Sequence, residues 1–564
     1  MTRFSSFFMY VLFFFIQIIS LAQPISATIE YSPKTIPLSS PLYEEVDMLY
    51  RLHGIALPSG ARPWSTAEAA LILNEIPDEG PTQNLKRQAL SRLEQVLPRI
   101  GSNGLSYTYH PTIAIETYSH LNTTDFIVPK DWIHHADKRL PLVDLRLELQ
   151  WEKTFYFSSS IEIGTGDVSS EDTIEVITSD YPEGIGAIVD FENTTATYQK
   201  LARLYQKTFN TNLLTFNKEF QADWPRNSQM TLGGTWWNLS LGRGQLNWGV
   251  GKSGNLIIDD HIKSHNSLKL DLFSKEFKLQ FLYIFMPNPL EEEKQSIFMG
   301  HRIEMLPFSY LRIAVTENVM FKGESLPLNY LDPTYIYHNL YNRDMLNAIA
   351  SLELNIAPYP GLSLYSQFAI DQFRLSNETD SEANALGTLI GIEYSRLLKT
   401  GVFSVSFERV NTDPTLYRRD KIDFLVLRGL RNNGKPLTFD YLGYQWGSDS
   451  IVYQFDMSYA LPGSYRIGMN VMFHQQGEVT IYGTHSTEET NTGYANIKQQ
   501  APSGDVLKET LIIGCKGEWY VSSYPVHFFA QLNRIARWSK VRSTGVYEPT
   551  QTDLQLVTAM VFKL

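Results

Sequence analysis

The chain has 564 residues, of which 43% are hydrophobic, 13% aromatic and only 19% charged; it is too aromatic for a solvated linker and long enough for one very large domain or several ordinary ones. A net charge of −12 argues against nucleic acid as the main partner, because phosphate contacts need clustered Lys and Arg. Its single cysteine, Cys515, excludes an internal disulfide framework and multi-cysteine zinc or iron–sulfur centres.

Arg3 followed by the apolar stretch Phe7 to Leu21, with small residues at Ser20, Ala22 and Ala27, predicts a signal peptide over 1–27 and therefore export. The other reading, an uncleaved anchor helix, lacks a basic stop-transfer flank. Beyond this stretch there is no run of the roughly 18 apolar residues that a membrane-spanning helix needs. Three helical patterns then predict a helical bundle over 38–100. Pro41 opens the first, with Leu42, Val46, Leu49 and Leu52 on one face until Gly54. Ser65 and Glu68 form a capping box for the second. The third runs from Thr82 to Leu97 and stops at Pro98.

From Gly104 the period changes to two. Leu145, Leu147, Leu149 and Trp151 alternate with Arg146, Glu148 and Gln150. The pattern returns at Phe277 to Phe285, at Ile451 to Tyr459, at Ile467 to Phe473, and finally at Leu554 to Leu564. A soluble sandwich or propeller and an outer-membrane barrel both produce such alternation. Segments of 9 to 11 residues or slightly more suit a tilted membrane strand, whereas soluble strands average about 5 or 6. Trp519, Tyr520 and Tyr524 at a segment end suit an interfacial girdle. The expected fold is therefore mainly β: a closed antiparallel transmembrane β-barrel of about 18 strands over 104–564, whose last strand closes on its first, with a small N-terminal periplasmic helical bundle. The long connection from Thr165 to Trp224 is expected to lie outside the cell and to constrict the lumen.

The chemistry-bearing motifs are sparse. Gly251-Lys252-Ser253 is no phosphate loop, since position 246, where the motif needs glycine, is Leu. His261 and His265, or His134 and His135, lack a third ligand at a telling spacing, so no metal site is read from them. No nucleophile elbow appears, and no catalytic residue is assigned. Arg418, Arg419, Asp420 and Lys421 read as a solvated turn.

The most individual stretch is Leu241 to Asp259, LGRGQLNWGVGKSGNLIID. It resembles the signature block of the capsule assembly Wzi family, a Trp-Gly-x-Gly turn followed by a glycine and a short aliphatic run, here Trp248, Gly249, Gly251, Gly254, Leu256, Ile257 and Ile258. The block departs from family members at Lys252 and Ser253, where a second aromatic and an acidic residue are common. Pro63-Trp64-Ser65, His301 to Pro307 and Leu364 to Asp371 also look like family positions.

The resemblance implies an outer-membrane lectin that binds and anchors capsular or other surface polysaccharide, without catalysis and without a cofactor. Gly249, Gly251, Gly254 and Leu256 form its structural block, and closely spaced glycines allow close backbone approach. Arg243, Trp248 and Lys252 are the candidates for glycan contact, although Trp248 also reads as a packing residue. Expected partners are the polysaccharide, outer-membrane lipid and the barrel-assembly machinery, with the protein a monomer. The alternative is a porin-like channel for sugars or anionic solutes in the same barrel.

Overall fold

The structure is a computed structural model. It describes residues 28–564 except 30–31, 79, 98, 101–103, 127–130, 135–137, 165–206, 214–224, 226, 288–293, 327, 333–335, 338–344, 373–383, 419–421, 430–435, 482–499 and 522–524. The expected signal peptide lies outside the described residues, as does most of the 165–224 connection.

Among the described residues, eighteen antiparallel strands, with the short segment Phe209–Thr211 inserted beside the first, close into one barrel. In chain order they are β1 (Leu105–His120), β2 (Val143–Trp151), β3 (Phe155–Ile163), β4 (Ser228–Gly233), β5 (Trp237–Gly244), β6 (His265–Phe273), β7 (Phe277–Pro287), β8 (Gln295–Phe308) and β9 (Leu311–Gly323). There follow β10 (Leu346–Tyr359), β11 (Leu362–Gln372), β12 (Ala385–Leu397), β13 (Val402–Thr412), β14 (Ser450–Leu461), β15 (Tyr465–Gln476), β16 (Val506–Val521), β17 (Val526–Val541) and β18 (Gln551–Lys563). Closure runs from the last strand to the first, with Gln555 opposite His120 and Lys563 opposite Thr112. Beyond the stretch of β1 that pairs with β2, Phe209–Thr211 takes β2's place beside it and pairs with Thr117–Ser119.

The wall is inside-out relative to a water-soluble sheet. On β2, Leu147, Leu149 and Trp151 are exposed while Glu148 and Gln150 are buried. Elsewhere Met305, Val315, Leu352, Phe407, Met457, Ile467, Leu532 and Leu556 are exposed, and Ile390 is 63% exposed. Buried polar groups such as Lys269, Asp271, Lys278, Arg302, Glu304, Glu353, Glu393 and Glu408 occupy the inner phase. An apolar outer face with a polar inner face matches a hydrocarbon surround, where only a closed sheet satisfies every backbone donor and acceptor. The girdle expectation needs one correction. Trp519 faces outward and is 43% exposed, but Tyr520 has the opposite phase. Its ring stacks on His527 and its hydroxyl donates to Glu518 (3.1 Å).

The two ends of the barrel differ. Turns at 152–154, 234–236, 274–276, 309–310, 360–361, 398–401 and 462–464 join strands at one end, and 245–264 and the described parts of 413–449 lie at the other. Three helices occupy the short-turn end: α1 (Leu42–His53), α2 (Thr66–Asn74) and α3 (Gln83–Val96). Gly54 closes α1 in the left-handed region at φ 66°. Ser65 Oγ accepts the Glu68 N–H (3.1 Å) at the start of α2, but the reciprocal half of the capping box is replaced, because Glu68 Oε1 takes the Lys278 ammonium of β7 (2.7 Å) instead. Burial pushes the Glu68 carboxyl up to about 7, against the pull of Lys278.

The helices and the barrel share one apolar core, in which Leu49, Trp64, Leu73 and Leu93 join Leu256, Phe298 and Tyr444. Further ties are polar. Lys34 pairs with Glu148 (2.6 Å) and Arg51 with Glu393 (3.0 Å); Leu57 N–H donates to Asn355 Oδ1 (2.6 Å) and Ala61 N–H to Glu304 Oε1 (3.2 Å).

Removing one partner of a buried pair leaves the other charge desolvated at a cost of about 3 kcal/mol. Glu68→Ala should therefore raise the rate of proteolytic cleavage within 38–100 on the order of 100-fold, if cleavage follows opening of the head, while the barrel stays resistant. An unchanged cleavage rate would show that the Glu68–Lys278 pair does not hold the helices to the wall.

Candidate functional site

The connection between β5 and β6 carries the Trp-Gly-x-Gly block, and it folds back into the lumen. Asn247–Trp248 pairs antiparallel with Ala61–Arg62 from the N-terminal segment. Gly249 N–H donates to Gly60 O (3.0 Å), and Trp248 N–H to Ile258 O (2.9 Å). At φ 129°, Gly249 occupies backbone space that a side chain would not tolerate, and a Cβ there would overlap Asn255 and Gln367.

Four residues distant in sequence pin the block. The Glu408 carboxylate of β13 accepts the backbone N–H groups of Lys252 (2.8 Å) and Ser253 (2.9 Å), as well as the Ser253 hydroxyl. Gln367 of β11 accepts Leu256 N–H (2.9 Å). Tyr417 donates its hydroxyl to Leu256 O (2.7 Å), and Tyr444 lies 2.9 Å from Ser253 Oγ. Burial pushes the Tyr417 and Tyr444 hydroxyls well above the ordinary range, so both remain protonated and able to donate. These tyrosines belong to the 413–449 connection, which brings Leu416, Phe424, Tyr441 and Leu442 into the same buried core as Leu256, Ile257 and Ile258. The constriction expected of residues 165–224 is thus supplied, among the described residues, by 245–264 and 413–449.

The residues singled out from sequence fall in different places. Trp248 is only 2% exposed. Its indole N–H is taken by Gln280, and its ring lies edge-on to Phe298 and under the Arg302 guanidinium, a fully packed setting. Gly251, Gly254 and Leu256 sit within the pinned block, and Leu256 is fully buried. Arg243, at the end of β5, contacts Ser264 (3.4 Å), and Lys252 pairs with Glu393 (3.0 Å). Both line a lumenal cavity of about 990 Å³. His261 bonds to Asp259 (2.9 Å) and His134 to Glu116 (2.7 Å). Arg418 departs from the solvated-turn reading: it is buried, pairs with Asp423 (3.2 Å) and donates to Thr480 O (3.1 Å). Arg419, Asp420 and Lys421 lie outside the described residues.

Sequence reasoning missed Glu408, Gln367, Tyr417 and Tyr444. The trace of Glu408 is its inward phase on an alternating strand, while Gln367 also falls within the Leu364 to Asp371 run that looks like a family position. The tyrosines sit in an irregular segment that offers no period to read.

No curated protein matches the chain. Among solved structures, Wzi of Escherichia coli, described as an outer-membrane, carbohydrate-binding β-barrel involved in group 1 capsule assembly, aligns with a TM-score of 0.54 at 12% identity, over 94% of this chain and 99% of that one. OccD3 of Pseudomonas aeruginosa and OmpT of Vibrio cholerae each align over 82% of this chain, and over 93% and 99% of theirs, at 10% and 8% identity with TM-scores of 0.39 and 0.33. At such identities the likeness to Wzi speaks for the fold. The family described as capsule assembly protein Wzi matches residues 226–507, half of the chain, a span that includes the 245–264 block and all four of its long-range anchors. The chain belongs to the capsule assembly protein Wzi family.

Proposed function

We propose that this protein is a non-catalytic, lectin-like barrel of the outer membrane that binds capsular or other surface polysaccharide and anchors it at the cell surface. The observation that carries this reading is the inward-folded 245–264 block, held across the lumen by Glu408, Gln367, Tyr417 and Tyr444. The family-matched region spends its most distinctive residues on pinning a connection across the barrel, which suits a binding protein better than a channel. That E. coli Wzi is described as a carbohydrate-binding barrel supports the same assignment.

In bacterial barrels the short turns face the periplasm, which supports reading the three helices as a periplasmic bundle. A segment over 1–27 that directs export, insertion by the barrel-assembly machinery and a monomeric state complete the proposal; a closed sheet offers no free strand edge for pairing with a second copy. Arg243 and Lys252, which line the lumenal cavity, remain the glycan-contact candidates from the family block.

Deleting the gene should release surface polysaccharide into the medium while total polysaccharide stays constant, measured as cell-bound against soluble glycan. If the glycan stays attached and unaltered, the anchoring role is lost. In planar bilayers the wild-type protein should be nearly silent, whereas Glu408→Ala, which removes the acceptor of three donors on the block, should show discrete openings. Porin-like conductance by the wild type would favour a channel instead.

A further inference from the structure

A second cavity, of about 440 Å³, lies between the pinned block and β13 to β17, and at Gly468 it reaches through the wall to the outward-phase Met457, Met469 and Cys515. It adjoins the larger one, sharing Lys252, Arg466 and Lys516 as lining residues. Its volume falls within the range of small-ligand sites. The lining combines the indole of Trp446 with the amide side chains of Gln454, Asn470 and Gln531. Aromatic faces and amides are the groups that recognise the apolar and hydroxyl-bearing surfaces of a sugar. The indole N–H of Trp446 is buried and has no hydrogen-bond partner.

The charges around this cavity are matched with one exception. Lys252 pairs with Glu393 (3.0 Å) and Arg466 with Glu44. Asp456 accepts the Gln454 amide (2.9 Å), Asp440 faces His261 at 3.9 Å, and Lys138 has a partner as well. Among the described residues, Lys516 is the charged group lining the cavity that has neither a hydrogen bond nor an ion pair. It lies on the inner phase of β16, exposed to the cavity, opposite Gly468 of β15, which carries no side chain to fill the space in front of it.

We propose that this cavity is a saccharide site that takes one acidic sugar unit of the uronate class, with the sugar carboxylate paired to Lys516 and the ring held by Trp446 and the surrounding amides. The inference rests on the polysaccharide-binding reading and deepens it. A charge-assisted hydrogen bond to the free ammonium favours a carboxylate-bearing sugar over a neutral one. The nearby carboxylates of Asp456 and Glu393 favour a monoanion over a doubly charged phosphate, since like charges repel strongly at short range.

The test is isothermal titration of the full-length protein in detergent micelles with digalacturonate and with neutral digalactose. The wild type should bind the uronate about tenfold more tightly. Lys516→Gln should erase that preference and Lys516→Arg should keep it, with folding of both variants checked by heat-modifiable migration on gels. Equal affinity for the two disaccharides, binding of neither, or a preference that survives Lys516→Gln overturns the proposal. Polysaccharide retention on cells is scored separately: if the polymer is held while the disaccharide preference is absent, this inference fails and the anchoring role stands.

Discussion

A closed sheet in hydrocarbon must turn its apolar side chains outward, and everything else in this molecule follows from what that leaves inside. The inner phase of the strands carries Glu148, Asp271, Lys278, Arg302, Glu304, Glu353, Glu393 and Glu408, all of them buried. A buried charge without a partner costs several kcal/mol, so a filled lumen with such a wall requires a filling that is itself polar where it touches the wall. The N-terminal segment and the 245–264 and 413–449 connections provide it. Lys34, Arg51 and Glu68 meet wall charges directly, while backbone donors from Leu57, Ala61, Lys252 and Ser253 satisfy wall acceptors.

The filling has an apolar centre of its own. Leu256, Ile257 and Ile258 meet Leu416, Phe424, Leu442 and Tyr444, the helices supply Leu49 and Leu73, and the segment before α2 supplies Trp64. The protein therefore has two hydrophobic regions of opposite sense: an outer belt for lipid and an inner core of the kind found in water-soluble domains. The polar inner wall separates them. This layering accounts for a mean hydropathy near −0.2 in a chain that is 13% aromatic.

Much of the wall was legible in the sequence because a period of two survives in any single strand. Leu147, Leu149 and Trp151 declare their face without reference to any distant residue. The helices were legible for the same reason, and the helical boundaries at Gly54 and Ser65 rest on local backbone chemistry. What the sequence hid is long-range. Glu68 looked like the second half of a capping box until Lys278, 210 residues away, took its carboxylate. Trp248 could be read as a stacking platform because nothing near it in sequence discloses Gln280, Phe298 and Arg302 around its ring. Arg418 sat in a charge run that suggests solvent, yet its partners at Asp423, Thr480 and Ile481 bury it.

The central claim is that the 245–264 and 413–449 connections fold into the lumen and are held there by hydrogen bonds to the wall and to each other. Hydrogen–deuterium exchange in lipid nanodiscs tests it most directly. Backbone amides of Trp248, Gly249, Lys252, Ser253, Leu256 and Tyr444 all donate to protein acceptors, so peptides covering 245–264 and 441–449 should exchange as slowly as those from the strands. Exchange of these peptides within seconds, at the rate of an unstructured loop, would contradict the account.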